Sequence, residues 1–509
     1  MFESAELGHT IDKATYDKEV PNLRKELLDA QFDLAEKARF PVIILVGGVD
    51  GAGRGETVNL LNEWMDPRFI QTHGMGDPSD EEMERPMMWR FWRALPPKGK
   101  IGVFLGSWYT WPVLNRVMGL TKLAELDQSL ERAKRLEKML TDEGALIIKF
   151  WLHLSREMQE KRLKVLEKNP KTRWRVTKRD WEHYKRYDKF LTVNESVIRH
   201  TSTAEAPWIV IEGADSRYRS LTVGKVILEA MRKRLAETDK KKEPNVRAAP
   251  LLPSIDQLNI LETLDLTQSL EKKKFEKELE KYQEKLAMLT RDPRFKDITV
   301  VAVFEGNDAA GKGGAIRRIT SAVDARQYQV VPIAAPTEEE RAQPYLWRFW
   351  RHIPRKGRVT IFDRSWYGRV LVERVEKYCS EFDWMRAYHE INDFEAQLVR
   401  HQTVIVKFWL TISKEEQLRR FKAREKIGFK RFKITEEDWR NRDKWDAYEL
   451  AIGDMVDRTS TEAAPWTLVE ANDKNFARIK VLKTLCQRIE TAMKKAGKVT
   501  SLPAPKRKA

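Results

Sequence analysis

Four short words recur in this chain in a single register. WRFWR stands at 89 and 347, SWY at 107 and 365, KFWL at 149 and 407, and APW at 206 and 464. The differences 347 − 89 and 464 − 206 both give 258, and Asp180–Trp181 meets Asp438–Trp439 at the same offset. Chance repetition of one Trp-rich word cannot hold a common spacing across several words, so the chain is two copies of one domain with almost no loop insertions between them. The copies meet near AETDKKKEPNVRAAPLLPS (236–254), a charged, proline-containing stretch that reads as a linker. The expected division is a first repeat over 1–240, a linker over 241–254, a second repeat over 255–495 and a basic tail over 496–509 that closes on SLPAPKRKA.

Each repeat alternates strand-like and helix-like segments. In the second, ITVVAVFEG is a β-branched run feeding a glycine turn, and GGAIRRITSAV has helical spacing. GRVTIFDRS, TVIVKFWLTIS and APWTLVEAND supply further strands, with an amphipathic segment between the first two and the helix FARIKVLKTLCQRIETAMKK at the end. Continuous apolar strands alternating with helices predict an α/β fold, each repeat a parallel sheet with helices on both faces. Ligands in such sheets bind at the carboxyl ends of the strands.

The segment VFEGNDAAGKGGAIRRI (303–319) sits at such an end. It satisfies GxxxxGK but lacks the Ser or Thr that closes a standard phosphate loop on Mg²⁺, because Gly313 and Gly314 follow Lys312. Gly306 and Gly311 let the backbone curl so that successive N–H groups face oxyanions, and the following helix turns its positive end to the same place. Lys312 adds a mobile point charge for terminal phosphates. Asp308 inside the loop and Asp363 after the strand RVTIF offer two hard oxygen ligands, which can hold Mg²⁺ through its retained waters without a hydroxyl. Arg364 can reach a phosphate from the opposite side. The alternatives are a turn that is glycine-rich for steric reasons and, at Asp363 and Arg364, a local surface ion pair.

A second cationic feature lies at 414–433, KEEQLRRFKAREKIGFKRFK, with nine basic and three acidic residues. Arg420 and Arg424 are four apart and share a helical face, suited to successive phosphates. Beside a phosphate loop this predicts a mobile cationic lid that excludes water; without that loop a solvated helix would explain it. The whole chain carries a formal net charge of +17, which concentrates polyanions around it.

GNDAAGKGG followed, after WRFWR, by DRSWYGR resembles the polyphosphate kinase 2 family, nucleotide phosphotransferases with a P-loop kinase core and a helical lid. The tandem arrangement is similar to the two-domain class II branch, and the resemblance covers nearly the whole chain. It implies tandem P-loop kinase-like domains that transfer a phosphoryl group from inorganic polyphosphate to AMP, giving ADP, with Mg²⁺ as cofactor. By motif match Asp308, Lys312, Asp363, Arg364, Arg369 and Arg424 fall at the family's functional positions; Asp308 and Asp363 are the expected metal ligands. The choice of AMP as acceptor rests on the resemblance.

The first repeat departs from that pattern. Arg54 stands in place of Lys312, Leu105 and Gly106 in place of Asp363 and Arg364, Trp111 in place of Arg369 and Leu166 in place of Arg424, while Asp50 persists opposite Asp308. Half of the expected metal site is lost, and Arg for Lys is no conservative exchange at a phosphate. The first copy is therefore expected to keep the fold and the second to carry the chemistry.

Rival readings are an NTP-dependent nucleotide kinase, which would share loop and lid, and a non-catalytic nucleic-acid or polyanion binder, which would explain charge and tryptophans. The binder leaves Asp308 and Asp363 unexplained, since carboxylates repel phosphates unless a metal intervenes, so nucleic acid is disfavoured. NDKN at 472–475 does not match a guanine-reading word, against a GTPase. Two cysteines, Cys379 and Cys486, no apolar run of membrane-spanning length and a polar N-terminus predict a soluble cytoplasmic chain. Two repeats in one chain can imitate a dimer, and a homo-oligomer is compatible with the sequence.

Overall fold

The structure, a computed structural model, describes residues 1–239, 260–426 and 434–496. The expected linker 241–254, all of the expected tail beyond Ala496, and 427–433 of the expected lid lie outside the described residues.

Each repeat forms one five-stranded parallel sheet. The first contains β1 (Val42–Gly48), β2 (Ile70–Gly74), β3 (Ile101–Leu105), β4 (Leu146–His153) and β5 (Trp208–Glu212), in the order β2-β3-β1-β4-β5. The second contains β6 (Thr299–Gly306), β7 (Tyr328–Pro332), β8 (Val359–Asp363), β9 (Thr403–Thr411) and β10 (Trp466–Glu470), and reads β7-β8-β6-β9-β10 in the same topology. The expected α/β architecture of tandem parallel sheets flanked by helices is the one the chain adopts. In the second sheet Val300, Ala302 and Phe304 of β6 and Val406 and Phe408 of β9 pack with Ile316 and Ile319 after the glycine loop and with Leu482 and Leu485 of the final helix. Each of the buried Val, Ile, Leu and Phe side chains contributes roughly 1.5–3 kcal/mol of transfer free energy, which holds the loop's flanking elements on a rigid base. The edge strand β7, YQVVP, is absent from the sequence reading. An edge position leaves most of its residues out of the core and tolerates Pro332, so it lacks the apolar signature of a central strand.

The recurring words SWY and KFWL have a structural cause. In the second repeat Lys407 of β9 is fully buried, and its Nζ donates to Glu395 Oε2 at 2.8 Å, to Thr459 O at 2.8 Å and to the Tyr367 hydroxyl at 2.8 Å. Glu395 Oε1 accepts from Trp366 Nε1 at 3.0 Å and from Tyr367 Oη at 2.6 Å. In the first sheet Lys149 likewise donates to Glu137 and to Thr201 O, and Glu137 accepts from Trp108 and Tyr109. Burial pushes Glu395 above and Lys407 below their ordinary values, and their mutual attraction opposes both shifts.

Contacts divide the chain into two compact units: Met1–Pro78 with Arg90–Glu243 and Pro336–Arg348, and Ser79–Trp89 with Pro244–Ala335 and Phe349–Ala509. No described helix is long and apolar enough to cross a membrane.

Candidate functional site

In the second sheet β6 is central, with β8 on one side and β9 on the other, so the loop leaving β6 emerges where the strand order reverses. Gly306 ends β6 at φ 151°, and a Cβ there would lie 2.5 Å from Leu410 O, so only glycine lets the chain leave the sheet at this point. Gly311 at φ 113° turns the chain into the helix Lys312–Thr320 and serves as its N-cap. Asn307 fastens the loop to β9 by donating its N–H to Leu410 O at 3.1 Å and accepting at Oδ1 from Ile412 N at 3.1 Å. Gly313 is open, with nothing within 4 Å of an added Cβ, and Gly314 faces the Arg478 guanidinium.

Four of the expected residues converge here. Lys312 Nζ donates to Gly306 O at 2.7 Å, folded back on its own loop. Asp308 Oδ1 is 3.4 Å from Arg364 Nη2, and Oδ2 accepts from Asn441 Nδ2 at 2.9 Å. Phe304 of β6 is paired with Asp363 at the end of β8, which sets Asp363 and Arg364 beside the start of the loop. Arg364 has φ 66°, the left-handed region, a conformation that redirects the chain just after the strand. Burial works to lower the Arg364 pKa, and Asp308, Glu305, Glu437 and Asp363 together outweigh it and raise the value, so this cation sits in an acidic ring. Glu305 is buried and pushed up by that burial while accepting from Ser365 Oγ at 2.8 Å.

Arg420 requires a correction. Nε donates to Glu416 at 2.6 Å, Nη1 to Ala309 O and Ala310 O at 2.9 Å each, and Nη2 to Ala471 O at 2.7 Å and Asn472 O at 2.8 Å. Its side chain is only 4% exposed. All five donors are committed to the protein, so Arg420 clamps the glycine loop to the segment after β10 and is not a solvent-facing grip for phosphate. Its partner Arg424 stands half-buried one turn further along the helix Lys414–Glu425. Arg369 lies in the turn after Arg364, with Nε 2.7 Å from Glu373 Oε2.

Asn441, Gln417 and Glu437 join the site without having been singled out in the sequence. Gln417 Nε2 donates to Asp308 O at 3.2 Å, and Glu437 Oε1 is 3.7 Å from Arg364 Nη1. Asn441 follows the repeated Asp438–Trp439 pair by two residues but is itself not repeated, since His183 occupies its place in the first copy. Among the described residues no group of three or more His, Cys, Asp or Glu could hold a metal ion by themselves. Two carboxylates at adjacent strand ends, Asp308 and Asp363, nonetheless fit Mg²⁺, which takes one or two protein oxygens and fills its shell with water and phosphate.

The first repeat keeps the scaffold and changes the chemistry. Asp50 forms an ion pair with Arg54 and a 2.7 Å hydrogen bond with His183 Nδ1. Burial works to raise its pKa, but Arg54 and His183 outweigh it and hold the carboxyl low. The loop clamp has moved from one helix to another. Arg219 donates to Ala52 O at 3.2 Å, Gly213 O at 2.9 Å and Glu56 Oε2 at 3.0 Å, whereas Arg162, which matches Arg420, bonds Glu56 Oε1 at 2.9 Å.

A parallel sheet whose central strand feeds a glycine loop, a lysine and two nearby carboxylates defines a kinase-like α/β class. The family model for polyphosphate kinase 2 matches residues 10–240 and again 269–497, so the chain belongs to the polyphosphate kinase 2 family, in tandem. It is 60% identical over 97% of its length to a full-length Pseudomonas aeruginosa protein named polyphosphate:AMP phosphotransferase, with 100% of that protein covered. A protein of the same name from Acinetobacter johnsonii is 39% identical over 94% of this chain and 98% of its own. A crystal structure from Pseudomonas aeruginosa PA01, described as a polyphosphate kinase 2, superposes with TM-score 0.88 at 58% identity, covering 97% of this chain and 100% of that one.

Proposed function

We propose that this protein transfers the terminal phosphoryl group of inorganic polyphosphate to AMP, giving ADP, and that the second repeat carries out the reaction. The observation that carries the reading is that end-to-end similarity to polyphosphate:AMP phosphotransferases coincides with a complete loop, lysine and acid constellation in only one of the two copies. The reaction is a displacement in line: an oxygen of the AMP phosphate forms a bond to the terminal phosphorus as the bridging P–O bond of the polymer breaks, leaving a chain one phosphate shorter. That nucleophile is already ionised, so no strong general base is required. Lys312 swings from Gly306 O to the transferring group, and Arg364 balances its charge from the side of β8. Asp308, oriented by Asn441, and Asp363 would hold Mg²⁺, which supplies neutralisation of phosphate oxygens when bound. Arg369 and Arg424 extend the cationic track along the polymer. AMP and reduced thiols at Cys379 and Cys486 fit a cytoplasmic setting.

Purified protein is expected to form ADP from AMP and polyphosphate with no ATP present, measured in a coupled assay. Lys312→Ala and Asp363→Ala are each expected to lose at least about two orders of magnitude in kcat, the scale of one positioned electrostatic group. Arg54→Ala is expected to change little. Consumption of ATP with polyphosphate ignored would overturn the reading.

A further inference from the structure

The first repeat has a cleft of about 420 Å³ at the carboxyl ends of its strands, the size range of small-molecule sites. Its walls have been rebuilt relative to the second copy. Leu105, Gly106, Trp111 and Leu191 stand where Asp363, Arg364, Arg369 and Glu449 stand 258 residues later, as 449 − 191 shows. Tyr109, Trp111, Trp151, Phe190 and Trp208 give it aromatic lining.

Both guanidiniums that remain in the wall lie beside carboxylates. Arg54 pairs with Asp50, Arg179 lies 3.8 Å from Asp77, and Asp180 accepts from Thr177 N at 2.7 Å. Three carboxylates against two guanidiniums make a poor seat for a polyanion. Three polar atoms on lining residues are buried with no hydrogen-bond partner: Trp151 Nε1, Gln159 Oε1 and His183 Nε2. Trp151 is 9% exposed and Gln159 2%. A purely apolar guest would leave all three unsatisfied, whereas the edge of a heteroaromatic ring offers both donors and acceptors.

We infer that this cavity is a non-catalytic binding site for a planar heteroaromatic molecule of nucleoside size, separate from the phosphoryl-transfer site. Aromatic walls accept the ring face, the three unpartnered groups of lining residues favour a guest whose edge carries donors and acceptors, and the excess of carboxylates over guanidiniums disfavours a phosphate chain.

Adenosine is the probe, because it lacks the acceptor phosphate and so binds independently of turnover. In crystals of the full chain soaked with adenosine, ligand density is expected in this cavity beside Trp111 and Phe190; density for water alone there would overturn the inference. Gly55→Phe projects a ring from a lining position where an added Cβ meets nothing within 4 Å. Soaked crystals of this variant, with melting temperature unchanged, are expected to show no adenosine density in this cavity. Undiminished density there would refute the site. AMP is expected to bind this cavity no more tightly than adenosine, and polyphosphate is expected not to displace adenosine from it; displacement would also overturn the claim. Loss of phosphoryl transfer is read separately in the ADP assay, so failure of one proposal does not register as failure of the other.

Discussion

A guanidinium whose five N–H groups all end on protein oxygens cannot be shortened or made monodentate without leaving carbonyls bare. Arg420→Ala would strip donors from Ala309, Ala310, Ala471 and Asn472 and leave Glu416 with Arg419 alone. The expected cost is about 2–4 kcal/mol of stability, read from urea unfolding, because buried acceptors lose their partners. Arg420→Lys is expected to restore little of it, since one ammonium cannot span carbonyls on both sides of the loop. Activity should fall mainly in kcat, as the loop loses its fixed curvature. If polyphosphate KM rose tenfold with kcat and stability untouched, Arg420 would be a substrate contact after all.

At the level of elements, β9 shows why a charged residue can sit inside an otherwise apolar strand. All nine of its residues are buried, Lys407 included, and the acid facing it comes from the helix Glu381–Arg400. Helix and strand are therefore joined by a charge pair in the core. Lys407→Met is expected to destabilise the second repeat by about 3–5 kcal/mol, because Glu395 is left buried without its counter-charge. The double variant Lys407→Met, Glu395→Leu is expected to recover most of that loss in thermal unfolding, since replacing both ions removes the desolvation penalty. An additive double variant would refute the coupling. The strand itself is legible from TVIVKFWLTIS. The network is not, because Glu395 lies twelve residues away on a different element, with no local signal to mark it.

For the molecule as a whole, a net charge of +17 makes capture of a long polyanion a matter of ionic strength. Raising salt from about 50 to about 300 mM is expected to raise KM for polyphosphate several-fold and KM for AMP much less, because screening acts on many distributed contacts in one case and few in the other. Equal salt dependence would argue that the polymer is held only at the catalytic loop. The sequence by itself determined the duplication, the two parallel sheets, the glycine loop with Lys312 and the loss of Asp363 and Arg364 equivalents from the first copy. These are periodicities and substitutions along the chain, and a constant offset exposes them. Tertiary structure alone decided that Arg420 clamps the loop while Arg219 does so in the other copy, that Asn441 orients Asp308, and that the first copy has an aromatic-lined cleft. Each depends on which distant side chains share a neighbourhood, and hydrogen bonding and burial are settled only when the strands and helices have packed.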